Sequence, residues 1–462
     1  MNQNPSTPPG NSTGISRRKF LRNSIGVVGA LGFPTIIPAT ALGRDGKAAP
    51  SERVLIGMIG CGDRSRAAAQ YQVGGQAEIV ALADPNKKAV RGWAGEVLKD
   101  RKVREYSDFR TLLDSEVDAV HIATGDHWHV PASLLAARAK KHIYIEKPLG
   151  LSIEQCLACR EITDEHKTVV QYGTQNRSIL YVRAGIELVL NGHIGAIKEI
   201  HVFAPRGESG GSATPVLPVP DGFDYEMWLG PAPVTPFCHD RVLTKGPRNG
   251  IFHINDYAIG FIAGWGAHPY DQLQWWLDEM KIGMPTHVEA TGTIPTEGLF
   301  NTVTHWDAVL SYPGLPKVRF ADDQSILQHL PKLGGLTPAD HGTLFVGSEG
   351  WLYFHRNGFQ GSSRELLAKH KAPGPHRVIN AGASHQDNFL DAILGKNKVV
   401  SPLDSAIRSD ICCHLSEIAI RTGKPLGWDA QNHTITGNPQ AVPLMRRAMR
   451  APWNVLNPKY TS

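Results

Sequence analysis

Residues 54–59 form an apolar run that passes without a break into Gly60-Cys61-Gly62-Asp63-Arg64-Ser65 and then into the helix formers Ala67, Ala68 and Ala69. A strand, a glycine-rich turn and a helix in that order make a cradle for a dinucleotide pyrophosphate. Gly60 permits the tight turn, Gly62 lets the phosphates approach the backbone, and the helix N-terminus offsets their charge, with Asp63, Arg64 and Ser65 around it. Ser65 stands where the third glycine of the fingerprint is usual. A second strand, 78–83, ends in Asp84, at the separation at which a carboxylate bonds the adenine ribose. Asp84 would repel a 2′-phosphate and so favours NAD, while Lys87 and Lys88 leave NADP open; its other possible role is to cap the helix starting near Asn86.

The alternation continues, with helices at 86–98, 108–113, 131–140 and 152–167 and strands at 118–123, 142–145 and 169–172, the pattern of a doubly wound parallel sheet. Two loops that follow strands carry reactive side chains: Thr124-Gly125-Asp126-His127-Trp128-His129, and Glu146-Lys147-Pro148. The proline biases Lys147 toward extended geometry, placing it at a strand end, where open α/β sheets hold their ligands. Beyond residue 196, six strand-like runs with few intervening helices predict a largely antiparallel sheet. Residues 204–266 are rich in proline and glycine without periodicity, as in a lid or binding loop.

The chain ends mean different things. In the first 41 residues Arg17, Arg18, Lys19 and Arg22 are the only charges, and they precede a short apolar run and Ala39-Thr40-Ala41. The paired arginines resemble a twin-arginine (Tat) export signal, and the run is too short and too interrupted by glycine and proline to span a bilayer. Removing those four charges takes the formal charge from +5 to +1, which argues against nucleic-acid binding and against stable membrane insertion once the signal is gone. Cys156 and Cys159 lie three apart in a helical pattern capped by Ser152 and Gln155, so core packing is expected, and no zinc-spaced set marks a metal site.

Gly60-x-Gly62, Asp84, Ala123-Thr124-x-Asp126-His127-x-His129 and Glu146-Lys147-Pro148, in this order, resemble the Gfo/Idh/MocA family of NAD(P)-dependent oxidoreductases. The resemblance continues through Gly173-Thr174-Gln175-Asn176-Arg177, Tyr225-Glu226-x-Trp228-Leu229-Gly230-Pro231, Trp265-Gly266-Ala267-His268, His385-x-x-Asn388-Phe389 and Pro425-Leu426-x-Trp428-Asp429. It implies an N-terminal Rossmann domain (51–173) and a C-terminal α/β domain (174–462) whose open sheet often forms an oligomer interface, after a signal and linker at 1–50. It also implies cofactor contacts from Thr124, Asp126, His129, Glu146, Lys147 and Gln175, with Lys147 as the leading catalytic group. His268 is the second; it stands at the start of a helix, whose dipole keeps the ring neutral as base or hydrogen-bond partner. By spacing, Asp271, a turn further on, is close enough to orient it. Arg177, His268 and His385 are implied as substrate contacts. The family commonly has an aspartate four residues before this histidine; here that position is Gly264. Tyr257 could supply a hydroxyl in compensation, or could simply anchor the lid.

The expectation is thus an oxidoreductase, periplasmic or secreted, that moves a hydride between NAD and a sugar, polyol or carbohydrate derivative, carried by the Tat machinery and assembled as a homo-oligomer. Two alternatives stay open at this point. One is a redox-neutral enzyme that retains NAD while it cleaves or eliminates; the other is a ligand-binding Rossmann protein without catalysis.

Overall fold

The computed structural model describes residues 53–69, 71, 75–99, 101–242 and 250–456. The expected export segment lies outside them. Six parallel strands, β1 (Val54–Ile59), β2 (Ala77–Ala83), β3 (Arg104–Tyr106), β4 (Ala119–Ile122), β5 (His142–Ile145) and β6 (Val170–Tyr172), lie in the order β3-β2-β1-β4-β5-β6. The order reverses between β1 and β4, so their carboxyl ends frame the crevice in which such sheets hold ligands. Gly60 has φ +91°, and a Cβ there would stand 2.4 Å from the Ala123 carbonyl oxygen. Only glycine lets the two strand ends come this close.

Local signals account for most of the helices. Asn86 caps Lys87–Trp93, accepting from the Lys88 amide at 3.0 Å, and a π-helical turn, Ala94–Leu98, extends it. Ser152 caps Ile153–Glu165 by accepting from the Gln155 amide at 3.2 Å, and Gln155 reaches back to the Leu151 amide at 2.9 Å. Pro131 sits in the first turn of His129–Arg138, where a missing N–H costs no helical bond. Cys156 and Cys159 are buried in the core, as expected from their spacing.

The second sheet has nine strands: β7 (Ile197–Ala204), β8 (His287–Thr293), β9 (His305–Ser311), β10 (Val318–Asp322), β11 (Gly342–Gly347), β12 (Trp351–His355), β13 (Gly358–Gly361), β14 (Leu426–Asp429) and β15 (Thr434–Thr436). Only β7 and β10 pair in parallel; the other pairs are antiparallel. β13 and the β14–β15 hairpin extend the expected sheet at its two edges. The residues after the long helix Leu403–Thr422 pack back onto the rest of the protein: Trp453 and Val455 are buried, and Trp453 meets Trp128 edge-on at 5.3 Å. The helix His385–Ile393 also returns to the first sheet, where Phe389 and Leu390 pack with Val54, Ile56 and Met58.

Candidate active site

A cavity of about 370 Å³ opens at the reversal point, lined by Gly60, Gly62, Asp84, Ser107, Thr124 and Gly125 from the first sheet's loops, and by Phe223, Trp228 and Ile251 from the 204–266 segment. A Cβ at Gly62 would meet nothing within 4 Å, so this position opens toward the space. Asp84 lines the cavity and also braces it, accepting from the Cys61 amide and the Asn86 amide, each at 2.8 Å. Capping of the following helix falls to Asn86. Asp63 and Arg64 line the cavity as well. Ser65 does not: it is buried, and its hydroxyl accepts from the Trp93 indole at 3.1 Å. Serine in place of the third glycine is thus a helix-packing residue here, a correction to its expected cofactor role.

The described part of the 204–266 segment borders the cavity as a strap with short helices, Tyr225–Leu229, His239–Val242 and Phe261–Gly264. It is tied down at both ends of the groove. The Lys87 amide donates to the Gly222 carbonyl at 3.0 Å, the His127 ring donates Nε2 to the Trp228 carbonyl at 2.9 Å, and the Trp128 indole donates to the Met227 carbonyl at 3.1 Å.

Past the cavity, the loop after β5 holds Glu146 and Lys147. Glu146 is buried; its Oε1 pairs with Arg64 Nε at 2.8 Å and accepts from Gln175 Nε2 at 3.0 Å. These three expected cofactor contacts therefore bind one another, tying the glycine turn to the end of β5. The Lys147 ammonium donates to the Gly264 carbonyl at 2.7 Å. Gly264, where the resemblance leads one to expect an aspartate, thus meets Lys147 through its backbone. Burial pulls the Lys147 pKa below the usual lysine range, while Asp126 and Glu146 pull it back up. Burial pushes Asp126 up to about 7 against the opposing charge of Lys147. His129 donates Nδ1 to the Pro148 carbonyl at 2.6 Å, which fixes the loop.

His268 lies at the start of the helix Ala267–Glu279, and its Nε2 is 3.0 Å from a terminal nitrogen of Arg356. A guanidinium can only donate. Nε2 must therefore accept, which makes the ring neutral with its proton on Nδ1. Burial first, and then Lys147, Arg356 and Arg64, hold its pKa well below the ordinary value. Asp126 Oδ2, Glu146 Oε2, Asn176 Nδ2 and His268 Nδ1 are all buried without a hydrogen-bond partner. Buried polar atoms are rarely left so. Asp126, Glu146, His129 and His268 also act electrostatically with Lys147, so these groups form one buried polar cluster.

Several expected participants lie elsewhere. Asp271 does not orient His268; both its oxygens take Arg177, from Nε and NH2 at 2.7 Å each, and both side chains are buried. Arg177 further donates to Ser405 and lies over the Trp275 ring, so it is committed to the interior and not to a substrate. His385 is closed as well: Nε2 donates to the Tyr172 carbonyl at 2.8 Å and Nδ1 accepts from Ser178 at 2.6 Å. The Tyr257 hydroxyl meets Thr235 at 3.0 Å and Arg241 at 3.4 Å inside an aromatic cluster of the strap, and its ring faces Trp228 and His127. Its contacts reach neither Lys147 nor His268, which is the lid-anchor role.

Two residues escape a reading of the sequence. Arg356 sits in the β12–β13 turn, 88 positions from the histidine it touches, with no motif around it. Asp410, in the long C-terminal helix, accepts from the Leu149 amide at 2.6 Å and from the Tyr172 hydroxyl at 2.9 Å, anchoring the loop after Lys147. Cys156, Asp410 and His414 bring potential ligand atoms within 4.8 Å of one another, and each Asp410 oxygen also accepts one of these bonds.

Residues 54–174 match a family model described as an oxidoreductase family with an NAD-binding Rossmann fold, and residues 206–455 match the C-terminal alpha/beta domain of the same oxidoreductases. The chain is 32% identical over 272 residues to inositol 2-dehydrogenase 2 of Saccharopolyspora erythraea, covering 53% of this chain and 76% of that protein. It is 31% identical over 121 residues to the uncharacterised oxidoreductase YrbE of Bacillus subtilis, spanning 26% of this chain and only 34% of the relative's length. In fold it is similar to the WlbA dehydrogenase of Bordetella pertussis, solved with NADH and UDP-GlcNAcA, with a TM-score of 0.57 at 16% identity over 82% of this chain and 99% of that one.

Proposed function

The chain belongs to the Gfo/Idh/MocA family of NAD-dependent oxidoreductases, and from that premise we propose that it oxidises a hydroxyl of a sugar, polyol or related carbohydrate, with Lys147 taking the hydroxyl proton. The observation that carries this reading is the buried Lys147 in electrostatic contact with Asp126, Glu146, His129 and His268, joined through the Glu146–Arg64 pair to a cavity that fits a dinucleotide. The residues fit NAD: Gly62 opens on the cavity beside the helix N-terminus, and Asp84 lines it at the end of β2. When bound, NAD supplies the hydride acceptor. The protein's part is to position the substrate and move one proton. Burial favours the neutral amine that can receive it, and the Gly264 carbonyl holds Nζ in place. His268, neutral with Nδ1–H free to donate, would orient the reacting oxygen and not take its proton.

Export through the Tat pathway, a periplasmic or secreted location, and homo-oligomerisation belong to the same proposal. They rest on Arg17, Arg18 and the apolar run after them, and on the family's use of its open sheet. A dehydrogenase working where free NAD is scarce would hold its cofactor tightly. The test is to express the chain with its own N-terminus in a Tat-competent host, recover it from the periplasmic fraction, and follow cofactor absorbance near 340 nm, the nicotinamide band, against a carbohydrate panel. Accumulation of reduced cofactor with at least one sugar or polyol is expected. Lys147→Ala should lower turnover by about 10²–10⁴-fold with NAD still bound. A variant that turns over like the wild type would sink the role of Lys147; product formed without reduced cofactor would favour redox-neutral chemistry; retention in the cytoplasm would sink export.

A further inference from the structure

Arg356 is the charge that the proposed reaction leaves unexplained. It projects from the turn between β12 and β13, its carbon lies 5.5 Å from the centroid of the Trp265 ring, and its nitrogens meet His268 Nε2 at 3.0 Å and Asn176 Oδ1 at 3.4 Å. All three contacts are uncharged. Two carboxylates act on it electrostatically, Glu146 and Asp340, but neither forms an ion pair with it. Glu146 is held by Arg64 at 2.8 Å, and Asp340 accepts from His341 at 2.6 Å. Among the described residues no carboxylate lies within ion-pair distance of Arg356. Arg64 and Lys147 add further positive charge around the same histidine.

The groups beside Arg356 are donors too. Asn176 is fully buried; its Oδ1 faces Arg356, and the Nδ2 of the same amide has no partner. His268 carries its unpartnered proton on Nδ1. A half-buried guanidinium beside unspent donors, with no carboxylate of the protein in direct contact, is set to take one from a ligand. The planar fork of arginine matches a carboxylate in two parallel hydrogen bonds.

We propose that Arg356 and Asn176 form a carboxylate-recognition subsite, and that the substrate is a sugar acid oriented with its carboxylate on Arg356 and a hydroxyl between His268 and Lys147. The inference rests on the carbohydrate-oxidoreductase reading and narrows its substrate class. The carboxylate takes no part in the redox step: the C–H bond of the carbinol carbon breaks, its hydride goes to NAD, and the O–H proton goes to the Lys147 amine.

The test uses matched probes on the NAD-loaded protein: glucose against glucuronate, galactose against galacturonate, mannose against mannuronate, and glucose 6-phosphate as a second anion. Turnover and the shift in thermal midpoint are both read, because binding reports on the subsite even where a probe does not react. At least one uronate should shift the midpoint and exceed its neutral partner by roughly tenfold or more in kcat/KM, mainly through KM. Arg356→Gln should erase that advantage while leaving NAD affinity unchanged, and Arg356→Lys should restore part of it. Equal effects of Arg356→Gln on acid and neutral probes would make Arg356 only a support for His268 and overturn the subsite. So would stronger binding of neutral sugars, or no midpoint shift from any uronate. A preference for glucose 6-phosphate over every uronate would overturn the carboxylate assignment. Uronates that bind through Arg356 without reducing NAD would instead count against the oxidoreductase reading and leave the subsite standing.

Discussion

Arg177 and Asp271 carry a buried charge pair with two short hydrogen bonds, extended by Ser405 and the Trp275 ring. Such a pair is worth little against apolar replacement, but breaking it strands a charge in the interior. Arg177→Ala should therefore cost about 3–5 kcal/mol in a urea unfolding experiment. Activity per folded molecule should barely change; a large loss of kcat in a fully folded Arg177→Ala protein would restore its role as a substrate contact. The motif marks Arg177 and helical spacing marks Asp271, yet neither signal records which neighbour needs the residue. His385 and Tyr257 carry the same lesson, since each has its polar atoms satisfied by the fold.

Among elements, the turn after β1 separates two kinds of glycine. At Gly60 the backbone lies in the left-handed region and a Cβ would collide with the Ala123 carbonyl, so Gly60→Ala should lower stability by about 2 kcal/mol or more. At Gly62 the space is open, so Gly62→Ala should leave stability within about 0.5 kcal/mol while weakening NAD binding roughly tenfold, read by nucleotide titration. Equal stability losses at both would refute the division of labour. The strap over the cavity shows why its structure was not legible. Its short helices have too few turns for a periodic pattern, and its hold on the groove comes from Gly222, Met227 and Trp228 carbonyls, which any residue could present.

At the scale of the whole molecule, burial sets how the protein answers to acid. His127, His129, His253 and His385 are held down to about 4 and His414 to about 3, each chiefly by burial. In the unfolded chain these rings take up protons below about 6.5. Their contribution is therefore complete above that pH and is lost as pH falls toward 4. Asp126 and Asp410, pushed up to about 7 by burial, act in the opposite sense, favouring the fold less as pH rises from about 4 to 7. Five histidines outweigh two carboxyls, so the urea midpoint of the NAD-free protein should rise with pH between about 4 and 6.5. A midpoint that is flat or falls over that range would contradict this balance.

The sequence by itself determined the parallel sheet, the glycine turn with Asp84, and the placing of Lys147 at a strand end. Each depends on neighbours in the chain: periodicity, a cap, a proline, a fixed spacing from one strand to the next. Only the tertiary structure decided that Ser65 packs on Trp93, that Asp271 belongs to Arg177, that the Gly264 carbonyl accepts from Lys147, and that Arg356 reaches His268. Those pairings join residues up to 117 positions apart. Hydrogen-bond partners at that distance are set by how the elements pack, and no local pattern in the chain records them.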